Sequence, residues 1–316
     1  MHNSSQIQGT VCNGKCSSLC KMHRKAVFFM IISTFLFGIM NVLIKYLSDI
    51  PSYEVVLFRS AISLVITFFM LKRAGVYPFG KSRRIFLLMR GLAGSTALLI
   101  FFYTLQNLPL ATAVTVQYTS PIFTIILAAW IVHEPVRWQQ WFFFFLSFCG
   151  ILMIRGLDPG FDTKFLLLGL LGAAFSGIAY NAVRKVGDAE HALVVVFYLP
   201  LSTLPIITPY CATHWVMPHG SEWLLLLGVG ITTQFAQLYM TRAYQMEKAG
   251  SIANYAYLGI VFALLFGYFF FHEHFSAIAI TGMGIVIFGI LLNFLFIQRV
   301  TNFRRFRVYI RNFPGL

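Results

Sequence analysis

Two arginines and a scatter of amides, tyrosines and carboxylates interrupt the apolar runs of this sequence, and their chemistry is that of binding. Arg59 stands near the start of one run, with Glu54 five positions before it and Arg90 in the next run. A guanidinium at hydrocarbon depth is costly, so Arg59 is expected to face a cavity, where it would hold an anionic or zwitterionic ligand. Glu54 and Arg59 fall on different faces of a helix, which argues against a simple pair on one face. Snorkelling to the headgroups, or pairing with Asp49 or Glu54, is the structural alternative for Arg59; Arg90, nearer the inner end of its run, reads as interfacial. Hydrogen-bonding groups recur at Asn41, Tyr103, Gln117, Tyr118, Tyr180, Asn181, Gln234, Tyr239, Asn254 and Tyr257. Each alone is equally at home in an interhelical hydrogen bond, but with Arg59 they form the candidate wall of a substrate site. His133-Glu134 and His272-Glu273 end two apolar runs. A carboxylate at a helix C-terminus gains nothing from the dipole, so Glu134 and Glu273 are expected to shape turns or close gates, and Glu54 to gate or to couple protons.

Catalysis lacks its parts. An enzyme embedded in the membrane is the competing class, yet the runs hold no Gly-x-Ser-x-Gly, no paired aspartates and no Asp-rich metal motif, leaving no nucleophile, base or ion site. No cofactor is expected. His272-Glu273-His274 lacks the His-Glu-x-x-His spacing of a zinc site. Cys12, Cys16 and Cys20 recur every four residues, again without a zinc spacing, and an unstructured reduced tail is the expectation there. Gly75 to Ser82 matches the phosphate-loop pattern letter for letter, but Tyr77, Pro78 and Phe79 suit a cradle of backbone amides poorly, and the segment links two apolar runs with no strand before it.

The elements that must position these groups follow from composition. The chain is 58% hydrophobic and only 11% charged, with a mean hydropathy of +0.76, whereas soluble domains are about a quarter charged. A span needs about 20 apolar residues, and ten stretches qualify: 26–44, 55–71, 85–105, 111–132, 138–154, 165–183, 191–207, 223–241, 249–271 and 275–297. They are continuously apolar rather than alternating, which excludes a barrel. A net charge of +14 would suggest nucleic acid in a soluble protein, but with a cytoplasmic N-terminus 19 of the 24 Lys and Arg fall on the inner side. That places both termini inside and removes nucleic acid as a partner. The first run is too long for a cleavable signal and is expected to be retained. The Arg304-Arg305-Phe306-Arg307 tail is expected to lie on anionic lipid.

The chain also repeats itself at an offset of 139 positions: Gly38 meets Gly177, Gly91 meets Gly230, Tyr118 meets Tyr257, His133-Glu134 meets His272-Glu273 and Gly150 meets Gly289. Five spans per copy is an odd number, so the second copy must be upside down. The expected fold is all-α integral membrane, ten transmembrane helices as two inverted five-helix repeats. Residues 26–157 form the first repeat and 165–297 the second, with tails at 1–25 and 298–316. Small residues four apart, such as Gly259, Ala263 and Gly267, are expected to let helices approach closely. Pro121, and the crowd of Pro200, Pro205 and Pro209, are expected to bend theirs.

Arg90-Gly91, Phe101-Phe102-Tyr103, Leu108-Pro109-Leu110-Ala111, Ser120-Pro121, His133-Glu134-Pro135 and Gly150-Ile151 resemble the repeat of the EamA-type branch of the drug/metabolite transporter superfamily. The resemblance implies ten spans with both termini inside, and a carrier of a small metabolite. In the second half Lys248-Ala249 replaces the Pro-Leu of the first. The expected function is secondary transport of a small polar metabolite, zwitterionic or anionic, such as an amino acid, across the inner (plasma) membrane. Its partners are that substrate and the bilayer. The alternative is export of drug-like or cationic metabolites such as S-adenosylmethionine.

Overall fold

The computed structural model describes residues 4–131, 138–155, 163–246 and 255–312; Glu134 and Asn254 lie outside them. Every described element is helical: α1 (Ser4–Tyr46), α2 (Ser52–Arg73), α3 (Arg84–Asn107), α4 (Leu110–Gln117), α5 (Ser120–Ile131), α6 (Trp138–Arg155), α7 (Thr163–Val186), a 3-10 turn (Gly187–Ala189), α8 (Ala192–Thr213), α9 (Glu222–Met246), α10 (Leu258–Phe271) and α11 (Ala277–Asn312). Among these residues seven helical stretches are long and apolar enough to cross a membrane, and three shorter apolar helices, Trp141–Ile151, Leu258–Phe271 and Ala277–Leu292, accompany them. The expectation of an unstructured N-terminal tail is corrected: α1 runs without a break from Ser4 into the first apolar run. At the other end α11 carries its apolar run straight into the basic tail.

Local sequence sets the ends and breaks. Prolines precede α2 and α4, at Pro51 and Pro109, where a missing N–H costs nothing. Glu54 in the first turn of α2 and Lys72 and Arg73 in its last complement its dipole. Pro121 cannot donate to the Gln117 carbonyl, and the helix breaks just before it, separating α4 from α5. Thr119 closes the break by giving both its N–H (3.0 Å) and its hydroxyl (2.6 Å) to the Val116 carbonyl. Tyr257, the repeat mate of Tyr118, stands in a turn at the start of α10. By contrast α8 runs on past all three of its prolines.

Packing obeys the repeat with partners exchanged. The helix α1 packs along α9 while α7, its mate, packs along α3; α2 meets α9 as α8 meets α3; and α6 packs on its own mate, α11. Single residues follow the same rule. A β-carbon at Gly150 would lie 2.7 Å from the Gly282 carbonyl oxygen and 2.8 Å from Val286, and one at Gly289 would lie 3.1 Å from the Phe143 carbonyl and crowd Ser147. Gly177 lies against Phe123 as Gly38 lies against Phe262. Equivalent positions thus exchange partners. Tyr118 and Tyr257, equivalent residues of the two repeats, meet each other, ring centroids 5.7 Å apart.

Candidate functional site

Arg59 projects from α2 into the protein interior. Only 3% of it is exposed, which removes snorkelling, and its guanidinium carbon lies 5.7 Å from the centre of the Phe102 ring on α3. Its Nε has no hydrogen-bond partner, and among the described residues it forms no ion pair. Glu54 is fully buried, but its Oε1 accepts the Val216 N–H at 2.6 Å and its Oε2 is unpartnered. Asp49 is exposed. Neither carboxylate neutralises Arg59. A cation on the face of an aromatic ring is held while its donors remain available.

Arg90, which the sequence suggests is interfacial, is half-buried. Its guanidinium reaches one turn toward the C-terminus of α3 and lies where a side chain at position 94 would be; a β-carbon at Gly94 would collide with Nη1 and sit 2.8 Å from Leu199. The Arg90 Nε is buried and unpartnered too.

The remaining candidates separate into groups. The Gln117 amide donates to Ser176 Oγ at 2.9 Å, and Asn181 donates to the Thr124 carbonyl at 2.8 Å and the Gly177 carbonyl at 3.0 Å, leaving its Oδ1 unpartnered. Asn41, buried on α1, also has an unpartnered Oδ1. Gln234 is consumed by packing: Ser63 donates to its Oε1 at 2.5 Å and its amide donates to Thr67 at 3.0 Å, tying α9 to α2. Ser95 and Thr203 make the equivalent tie between α3 and α8 at 2.6 Å. Tyr103 and Tyr239 lie tilted against Phe165 and Phe29, ring centroids 5.7 and 5.6 Å apart. A cavity of ≈ 180 Å³ opens between α2, α8 and α9, with Gln234 in its wall beside His191 and Arg242.

Glu273 closes one end of the bundle. It receives the Lys45 ammonium from α1 and the Leu110 N–H, the latter at 2.9 and 3.1 Å to its two oxygens. Lys45 also donates to the Leu108 carbonyl at 3.1 Å. One carboxylate thus ties together α1, the α3–α4 corner and the end of α10. Sequence reasoning missed Lys45, although it is one of only three cations assigned to the outer side, a signal that would have marked it.

At the opposite end the phosphate-loop look-alike finds its use. The Lys81 N–H (2.6 Å) and the Ser82 N–H donate to the Glu190 carboxylate, and the Tyr198 hydroxyl donates to the Phe79 carbonyl at 2.9 Å. These amides do hold an anion, and it is the protein's own side chain.

Comparison with known proteins agrees with this architecture. The model of the EamA-like transporter family matches residues 24–156 and again 163–295. Similar proteins include the pseudopaline exporter CntI of Pseudomonas aeruginosa (strain UCBPP-PA14), 31% identical over 263 residues covering 82% of this chain and 92% of that one. Solute carrier family 35 member G1 of Homo sapiens is 28% identical over 264 residues, covering 78% and 72%. The S-adenosylmethionine uptake transporter of Rickettsia prowazekii is 27% identical over 269 residues, covering 84% and 91%. A solved crystal structure with 18% identity superposes with a TM-score of 0.58 over 90% of this chain and 99% of that one, a likeness of fold. With two family repeats along its length and apolar helices throughout, this chain belongs to the EamA-like transporter family and is a multi-pass membrane transporter of small molecules.

Proposed function

We propose that the protein is a secondary transporter that moves a small polar metabolite, zwitterionic or anionic, across the cell inner membrane by alternating access. The observation that carries this reading is Arg59: a guanidinium buried at membrane depth, 5.7 Å over the Phe102 ring and without a paired carboxylate among the described residues. Such a charge is retained against its desolvation cost only where a counter-charge arrives. The ligand supplies it.

The topology that fits is ten spans as two inverted repeats, residues 26–157 and 165–297, with both termini cytoplasmic. Contacts exchanged at the 139-residue offset support it, as does the bias of Lys and Arg toward one side. Inverted repeats meeting at broken helices place a central site at their interface and let it open to either side in turn. In that frame the Lys45–Glu273–Leu110 contact is the outer seal, and Glu134, at the repeat position of Glu273, is its inner counterpart. Glu54, with one oxygen unpartnered, is the candidate for proton coupling. The relatives named for pseudopaline and S-adenosylmethionine both carry small polar metabolites by name. The buried Arg59, with no ion pair among the described residues, favours an acidic cargo over a purely cationic one.

Uptake of labelled amino acids and organic acids into proteoliposomes, wild type against Arg59→Ala, tests the reading. Loss of uptake with retained folding is expected. Full transport of every substrate by the variant would remove Arg59 from the site.

A further inference from the structure

The helix α2 packs on both α8 and α9, while among the described residues α8 and α9 hardly touch each other. A crevice is left between them with α2 as its floor, and this crevice is the cavity of ≈ 180 Å³. It lies on the seam between the family repeats, because α2 falls in the first matched stretch and α8 and α9 in the second. A pocket that encloses a whole drug-sized molecule is larger, about 300 Å³ or more. This one suits part of a molecule whose remainder lies outside.

The residues of α9 show which way the crevice opens. Leu224, Leu227, Ile231 and Phe235 are large apolar side chains left exposed, three or four positions apart, which is one stripe of a helix. The same spacing carries the stripe on to Leu238 and Arg242, both in the cavity wall. An uncovered apolar stripe on a spanning helix faces lipid. The crevice therefore opens sideways into the bilayer, at the basic end of the bundle where Lys72 and Arg73 finish α2.

Polarity is graded along the crevice. At depth Met70, Val196 and Leu238 are apolar, and the Gln234 amide is already spent on Ser63 and Thr67. Arg242 stands eight positions further along α9 than Gln234, about 12 Å at 1.5 Å per residue, and shares the mouth with His191; both are exposed. The His191 Nδ1 accepts the Leu193 N–H at 3.2 Å, which puts the ring proton on Nε2, ready to be donated. Among the described residues no carboxylate pairs with Arg242: Glu190, beside His191 in the sequence, is turned to the Lys81 and Ser82 amides. A polar solute would need donors at depth as well as at the mouth. Donors at the mouth of an apolar cleft fit a molecule with an anionic head and a hydrocarbon chain.

We propose that this crevice binds one anionic phospholipid of the cytoplasmic leaflet, with Arg242 and His191 holding its phosphate and one acyl chain lying between α8 and α9 over Met70. A guanidinium offers phosphate two parallel charge-assisted hydrogen bonds, and basic pockets between spanning helices on the cytoplasmic side take lipid headgroups of this kind. The inference uses the proposed topology only to name the leaflet, and it is independent of Arg59.

The test is protection of a cysteine placed at Leu238, on a background lacking the native cysteines, from the membrane-permeant reagent N-ethylmaleimide. Purified protein in detergent is supplied with phosphatidylglycerol, with phosphatidylcholine of the same chains, or with soluble glycerol phosphate. Phosphatidylglycerol should protect at concentrations about fivefold lower than phosphatidylcholine, the discrimination that one basic side chain supplies toward anionic lipid. Arg242→Gln should erase that preference while leaving protection by phosphatidylcholine unchanged. Arg73→Gln, which removes a charge at the same end but outside the cavity wall, should leave the preference intact. If Arg242→Gln loses protection by both lipids, Arg242→Lys decides: a retained preference supports the site and a lost one overturns it. Equal protection by the two lipids, or a preference that survives Arg242→Gln, would overturn the proposal. So would a preference lost equally in Arg73→Gln, as diffuse attraction to the basic end, and protection by glycerol phosphate as strong as by the lipid, as a site for a soluble phosphate.

Discussion

Tyr118 and Tyr257, 139 positions apart in the sequence, meet ring to ring at 5.7 Å. Each stands where its helix is interrupted, Tyr118 between α4 and α5 and Tyr257 at the start of α10. A contact between equivalent residues is self-reciprocal, so the packing on either side of it is related by exchange. An aromatic pair contributes about 0.5–1.5 kcal/mol beyond the area it buries. Alanine at both positions should therefore cost less than the sum of the single substitutions by about that amount, measured as a thermal-unfolding cycle in detergent; strict additivity would mean that the two rings do not interact.

The close approach of α6 and α11 should be equally sensitive at its two equivalent points. Gly150→Ala and Gly289→Ala each push a methyl group into the facing helix, and overpacking of this kind costs typically 1–3 kcal/mol. Both variants are expected to melt at lower temperature in detergent, by similar amounts. A loss at one position with none at the other would contradict the exchanged packing.

Removing the Lys45–Glu273 tie should loosen the end of the bundle that it closes. A cysteine placed at Asn41, one turn from Lys45 on α1 and buried, on a background lacking the native cysteines, reports on access from that side. Lys45→Ala and Glu273→Gln are each expected to raise its rate of modification by a membrane-impermeant thiol reagent several-fold. An unchanged rate in both would deny the contact a sealing role.

Glu190 should matter to the loop whose amides it accepts. Glu190→Ala leaves the Lys81 and Ser82 N–H groups without their carboxylate, and hydrogen bonds to a charged group are worth about 1.5–3 kcal/mol, less where solvent competes. Faster cleavage by trypsin at Lys81 is the expected readout. Protection equal to wild type would show that the loop is held by other contacts.

How far these features were visible in the residues differs with the physics behind each. Apolar length and the 139-residue repeat are one-dimensional properties, so the helices and their pairing into mates could be read directly. The break at Tyr118 was announced by Pro121, whereas the turn at Tyr257 has no proline in the matching place, since Ile260 stands there. Gln234 looked like a site residue because an amide in an apolar run must be satisfied; that Ser63 and Thr67 satisfy it is a matter of tertiary placement. That the half-buried Arg90 extends one turn along α3 into the space left by Gly94 is a side-chain placement that position in the run does not reveal. Lys45 and Glu273 are 228 positions apart, and no local signal links them. The polar N-terminal residues looked unstructured, yet they extend α1 as helix.

The proposed alternating access requires the second repeat to be inverted relative to the first, because inversion turns a pair of similar helical modules into a site that faces both sides of the membrane. Single cysteines at Asp158 and Asp188, introduced on a background lacking the native cysteines and labelled with an impermeant reagent in intact cells and in inside-out vesicles, measure this directly. Labelling of Asp158→Cys only from outside and of Asp188→Cys only from inside is predicted; labelling of both from the same side would contradict the inversion and the alternating access that follows from it.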